Sequence, residues 1–112
     1  GGMQPNGKVT VRTTIYDPQD HTWADGPELP GEEMEGFGTA CCTSGGRLFV
    51  TTSSGTLLVI SDDGNTWQVA GRLPSGRFFH QMLSVEDKRL IVLGGANMTT
   101  GKFSSLQWLN LP

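Results

Sequence analysis

The chain has 112 residues with 16 Gly, 6 Pro, 36% apolar and 17% charged residues, and a formal net charge of −3. That length supports one small domain with a modest core, and the composition excludes both a collagen-like repeat and a highly charged disordered chain. The acidic balance excludes a phosphate-backbone binder, which carries a basic patch; no nucleic-acid partner is expected.

No apolar run approaches the roughly 20 residues that span a bilayer, and no charged-then-apolar leader opens the chain, so a soluble protein without a membrane partner is expected. Gly1-Gly2-Met3 reads as a cloning remnant, and residues 1–7 are expected to be disordered. Residues 9–16 alternate β-branched and polar positions, with Val9, Val11 and Ile15 on one side, and predict a strand. Asp17-Pro18-Gln19-Asp20 is turn chemistry, and residues 22–26 predict a short strand carrying Trp23. Residues 29–36 predict a loop whose three carboxylates are solvated rather than cation-binding.

Residues 38–43 are small and predict a crowded inner strand, turned by Ser44-Gly45-Gly46. Cys41 and Cys42 are adjacent and would point to opposite faces of that strand, which disfavours a disulfide; one buried and one half-exposed thiol are expected. Strands follow at 47–51 and 56–60, the second a continuous apolar run as in a sheet covered on both faces. Asp63-Gly64 predicts a hairpin turn, and 66–70 a strand with Trp67. Residues 77–84 predict another inner strand, Glu86-Asp87-Lys88 a turn, and 89–93 an apolar strand stopped by Gly94-Gly95. A loop over 96–102 and a last strand over 104–111 complete an all-β reading, because no stretch holds helical spacing.

The parts recur. Trp23 to Trp67 and Leu29 to Leu73 both span 44 residues, and Arg47 to Arg89 spans 42. A period of this length with four short strands is that of a propeller blade. Three segments are expected: 8–37, an outer strand pair plus loop; 38–76, a four-stranded blade; and 77–112, a blade lacking its outermost strand. Gly64 allows the positive φ of a tight turn, Asp63 can accept turn amides, and Trp23 and Trp67 are expected to bury between neighbouring sheets. Gly94 and Gly95 would permit close backbone approach.

Arg77-Phe78-Phe79-His80 followed by Arg89-Leu90-Ile91-Val92-Leu93-Gly94-Gly95 resembles the kelch repeat, as do Tyr16-Asp17-Pro18 and Thr22-Trp23. The middle unit has Thr52-Ser53 where the glycine doublet would stand, and its hairpin, Ser61 to Trp67, resembles the Asp-box of sialidase-like propellers. Both resemblances imply a β-propeller, here about two to two and a half antiparallel blades, whereas rings close with about four to eight. Completion is therefore expected from self-association into a homo-oligomer or from the remaining blades of a parent chain. In a head-to-tail ring, strand 9–16 would compete with strand 104–111 for one position, and one of them would be displaced.

Kelch-like propellers bind proteins or small ligands through loops at one end, here expected to be 30–37, 52–56, 74–77 and 96–102. Arg77, at the expected channel mouth, is the first ligand-binding candidate, followed by His80, Asn97 and Lys102; pairing and packing roles compete for each. The alternative is a fragment of a propeller enzyme: a glycoside hydrolase, an oxidase or a sugar isomerase. Sialidase resemblance would imply clustered arginines and a nucleophilic Tyr, yet Arg12, Arg47, Arg72, Arg77 and Arg89 are dispersed and Tyr16 stands alone in an outer strand. His21 and His80 supply no metal-ligand spacing. No catalytic residue, metal or cofactor is therefore assigned. A further alternative is a truncated or engineered fragment without its own activity.

Overall fold

The computed structural model describes residues 1–111 and is all-β, with several antiparallel sheets and no closed barrel. Pro112, the last residue of the third expected segment, lies outside the described residues. The strands are β1 (Thr14–Asp17), β2 (Thr22–Asp25), β3 (Ala40–Ser44), β4 (Arg47–Thr51), β5 (Thr56–Ile60), β6 (Trp67–Arg72), β7 (Gln81–Val85), β8 (Arg89–Leu93), β9 (Ala96–Asn97), β10 (Gly101–Lys102) and β11 (Leu106–Asn110). A short 3-10 turn, Glu33–Gly36, interrupts the expected 29–36 loop. No described helix is long and apolar enough to cross a membrane.

Strands β3-β4-β5-β6 form a four-stranded meander, in which each strand pairs antiparallel with the next. Strands β7-β8-β11 form a three-stranded sheet, with β8 central. The two sheets are registered alike. Ser44 pairs with Arg47 and Val85 with Arg89, so β3 maps on β7 with an offset of 41 and β4 on β8 with an offset of 42. Phe49 pairs with Val59 and Ile91 with Trp108, so β5 maps on β11 with an offset of 49. The extra length beyond β8 is taken up by the β9–β10 hairpin, where the sequence predicts a loop.

Alternation gives each sheet two faces. The Phe49 face of the four-stranded sheet (Ala40, Phe49, Leu57, Val59) packs against the Val92 face of the three-stranded sheet (Met82, Leu90, Val92, Leu109), and Leu73 joins this core. The opposite face of the four-stranded sheet, bearing Val50 and Leu58, packs on Val11 and Leu29 with Trp67 at its side. Both faces of β5 are thus covered, which explains its unbroken apolar run: Leu57, Leu58 and Val59 are all buried. The opposite face of the three-stranded sheet is open. Leu83 is 53% exposed, Leu106 49% and Trp108 42%, the last held under the Arg89 guanidinium 4.4 Å from its ring centre.

Several expectations change in detail. Strand β1 begins at Thr14 rather than residue 9, because Val11 and Thr13 direct carbonyls to Leu29 and Gly26 instead of continuing the hairpin ladder. Residues 1–7 make defined hydrogen bonds, from Gly2 N to Gly36 O at 2.8 Å and from Gln4 N to Lys8 O at 2.8 Å. Trp67 is half-buried at the edge of the Val11–Leu29 core and donates from Nε1 to Pro27 O at 2.9 Å, rather than burying between two sheets. Trp23 does not bury: its ring is 69% exposed, contacting Tyr16 at 4.9 Å, because among the described residues no sheet lies on its side of the β1–β2 hairpin. Cys41 is exposed and Cys42 half-buried, so neither thiol is fully buried; they are unbonded. Burial first, and then the neighbouring Cys41, push the Cys42 thiol pKa up.

Candidate functional site

The loops expected at one end of the molecule are tied to one another. Ser54 donates from N and Oγ to Glu35 Oε2, at 3.3 and 2.8 Å, and Ser53 Oγ donates to Met34 O at 2.6 Å. Segment 53–54 also abuts Gly76 so closely that a Cβ there would sit 2.4 Å from Ser53 O. Asn97 Nδ2 donates to Gly76 O at 2.9 Å, and Phe79 N donates to Gly38 O at 2.9 Å. Loops 30–38, 52–56, 74–80 and 94–103 therefore form one continuous surface.

Within it, residues 77–80 do not extend β7, which starts at Gln81. Phe78 instead makes a bridge with Ala96, and Phe79 takes φ +59°. That left-handed conformation is costly for an aromatic residue, and such strain gathers at functional positions. It turns Phe79 outward, 65% exposed, against Phe37 and Phe78; the three rings meet edge to face with every centroid pair at 5.1 Å. The left-handed Gly38 makes room for this turn, since a Cβ there would fall 2.6 Å from Phe78 Cβ.

Arg77 lies inside the loop cluster rather than at an open mouth. It is 3% exposed, donates from Nη1 to Gly94 O at 2.9 Å, and holds its guanidinium 4.0 Å from the Phe103 ring centre. Arg77 Nε has no partner, and among the described residues the guanidinium forms no ion pair with a carboxylate. Desolvation lowers its pKa from the ordinary value. The cation is held by a carbonyl dipole and an aromatic face instead of a carboxylate.

His80 is also 3% exposed and shares a buried hydrogen bond between Nε2 and Thr51 Oγ1, which ties the segment before β7 to the end of β4. Its Nδ1 has no partner. Burial, and next the positive charge of Arg77, push the imidazole down to about 4. The ring is neutral at neutral pH.

Asn97 is occupied too: besides the bond to Gly76, its Oδ1 accepts from Thr99 N at 3.1 Å and Thr100 N at 2.6 Å, closing the β9–β10 hairpin. Lys102, in β10 opposite Ala96, is exposed. Of the four candidates, Arg77, His80 and Asn97 meet around segments 76–80 and 94–97, each bonded within the chain, and Lys102 projects from the same hairpin. The outward Phe79 was not legible, because a run of two phenylalanines in a strand-like pattern gives no sign of positive φ.

The glycine doublet serves this cluster. Gly94 supplies the carbonyl that Arg77 grips, and Gly95, at φ +85°, passes so near that a Cβ would lie 2.7 Å from Phe78 O. The Asp63 hairpin lies in the β5–β6 turn. Ser61 Oγ donates to Asp63 Oδ1 at 2.6 Å, Asn65 N donates to the same oxygen at 2.9 Å, and Thr66 N donates to Ser61 Oγ at 3.1 Å. Asp63 immediately precedes Gly64, so the segment is one residue shorter than the Asp-box spacing Ser-x-Asp-x-Gly-x-Thr-Trp, although its side chains staple the turn in a comparable way.

Among the described residues no three His, Cys, Asp or Glu side chains gather as metal ligands would. No protein-family model matches the chain, and no curated protein matches it either.

Proposed function

We propose that the chain is a kelch-like β-propeller segment acting as a binding or scaffolding module, completed by further blades from sister copies or from a parent chain. On this reading β3–β6 are one blade, β7, β8 and β11 are three strands of the next, and the β1–β2 hairpin is the outer pair of the one before. The observation that carries it is the equivalence of the two stacked sheets, offset by 41 and 42 residues over their first two strands, with the Ile91 face left uncovered. An exposed apolar face of this kind on a sheet with a free β11 edge favours association.

The binding surface on this reading is the tied loop cluster, with Phe79 and Lys102 outward and Arg77, His80 and Asn97 fixing the backbone beneath them. An exposed aromatic held in a strained conformation is suited to a protein partner or a small ligand with an apolar face.

Light scattering at micromolar concentration tests the assembly. The expected result is a folded species at a multiple of the 12.0 kDa chain mass. A well-folded species at 12.0 kDa alone contradicts completion by sister copies and leaves the parent chain as the source of the other blades.

A further inference from the structure

The proposed completion by further blades leaves open which surfaces meet, and the chain contains a template for that contact. Inside the molecule, the Phe49 face of one sheet covers the Val92 face of the other. By the offset of 42, Phe49 is equivalent to Ile91, and Val50 to Val92. The chain therefore carries a second copy of each side of its own interface. The unused donor is the Ile91 face, with Leu83, Leu93, Leu106 and Trp108. The second acceptor, already packed in part by Val11 and Leu29, is the Val50 face of the four-stranded sheet.

The acceptor is only half covered. Val11 and Leu29 pack on Val50 and Leu58, but a mostly apolar cavity of about 320 Å³ remains, lined on the sheet side by Cys41, Leu48, Val50, Ile60 and Trp67. That sheet-side lining crosses all four strands, from Cys41 in β3 and Leu48 in β4 to Ile60 in β5 and Trp67 in β6, and Thr13–Ile15, Pro27 and Leu29 border the other side. The equivalent residues of the three-stranded sheet, Met82 and Leu90, are 4% and 0% exposed because β3 and β4 lie against them. At the internal interface the equivalent position is filled by strands of the neighbouring sheet.

We infer that the Ile91 face of one copy docks on the Val50 face of a second copy, head to tail, with β7 and β8 of the first over the cavity of the second. This rests on the propeller reading and commits the missing sheet to a sister chain. The interface is heterologous: the surface each copy gives differs from the one it receives, so the contact propagates until a ring closes. The receiving copy can accommodate the approach. Every residue of β1 and β2 is exposed, and Thr14 and Ile15 of β1 border the cavity, so displacement of that hairpin would open it while Val11 and Leu29 keep their contacts.

The template also fixes a register. Across the internal interface Ser84 Oγ donates to Ser44 Oγ at 2.8 Å. With the offset of 41, Thr43 takes the place of Ser84 and Val85 the place of Ser44. Thr43 of one copy should therefore face Val85 of the next, within the reach of a disulfide.

The test is a chain carrying Thr43→Cys and Val85→Cys with Cys41→Ala and Cys42→Ala, oxidised and run on a non-reducing gel. Expected is a reducible ladder of dimers, trimers and higher or closed species. Either new cysteine alone should give no ladder, and an equimolar mixture of the two single variants should stop at dimers. A Ser44→Cys, Ser84→Cys chain in the same background, cross-linked within itself, confirms that the template geometry is real. As a second measurement, Leu83→Glu, at an exposed position, should raise the dissociation constant by about tenfold or more with unchanged far-UV circular dichroism. If the parent chain assembles but the double variant gives no ladder, this interface is wrong while the propeller reading stands. If Thr43→Cys alone dimerises efficiently, the contact is isologous and the inference is overturned. If the folded chain stays monomeric by light scattering, this interface is overturned, and the propeller reading stands only with blades supplied by a parent chain.

Discussion

Thr51 and His80 share a hydrogen bond at the seam between the two sheets, and both are buried, at 0% and 3% exposure. Burial first, and then the nearby Arg77 cation, favour the neutral imidazole and lower its pKa to about 4 from the ordinary 6.5. The unfolded chain therefore binds a proton between these two values that the folded chain does not. Stability from this group is complete above about pH 6.5, declines as pH falls, and levels off below about pH 4, with a total loss on the order of 3 kcal/mol. Denaturant unfolding across pH 3.5 to 8 checks this, and His80→Gln should flatten the slope between pH 4 and 6.5. An unchanged slope would show that other groups carry the acid sensitivity.

Arg77 contributes to the same shift by charge alone. Arg77→Met keeps an apolar stem over Phe103 but removes the cation, so the His80 midpoint should move upward toward its ordinary value. Two-dimensional NMR of the imidazole resonances reads this directly. A midpoint that stays put would mean that desolvation accounts for the entire shift.

The glycine doublet separates two costs of adding a methyl group. Gly94 has φ +65° with nothing near a built Cβ, so Gly94→Ala should cost about 1–2 kcal/mol from backbone strain alone. Gly95 has φ +85° and meets Phe78 O at 2.7 Å and His80 Cβ at 2.9 Å, so Gly95→Ala should cost about 1–3 kcal/mol more. Comparing the two unfolding midpoints tests whether close approach or φ dominates at the second position.

The strands were legible wherever pattern and turn chemistry agreed. Residues 47–51, 56–60 and 89–93 are observed as β4, β5 and β8 with the expected bounds. The three-residue turn Glu86-Asp87-Lys88 is present, with Glu86 and Asp87 both at φ +54°. The loop cluster was legible as a location but not as a structure. Residues 96–102 have no β pattern, and the β9–β10 hairpin depends on the distant Phe78–Ala96 bridge and the Asn97 turn. Arg77 looked like a ligand-facing cation because sequence shows neither the Gly94 carbonyl nor the Phe103 ring that holds it inside. Trp23 looked like a core residue because its equivalence to Trp67 says nothing about whether a sheet lies beside it.

The Asp63 turn gives a local test. Its carboxyl is held below the usual range, first by Ser61 Oγ and then by the Asn65 amide. Its stabilising contribution is present above the unfolded pKa and lost as pH falls through the folded one. Ser61→Ala removes the first donor, so the Asp63 midpoint, followed by side-chain carboxyl NMR, should rise. Unchanged titration would assign the shift to the backbone amides alone.

The central claim is that two stacked sheets with an open Ile91 face do not remain alone in solution. Small-angle X-ray scattering at micromolar concentration tests it most directly, because it reports mass and shape together. The single chain has a Cα radius of gyration of 14.1 Å and a mass of 12.0 kDa. The account predicts a multiple of that mass, a larger radius, and a pair-distance distribution suited to a ring. A folded particle whose mass and radius match one chain contradicts it.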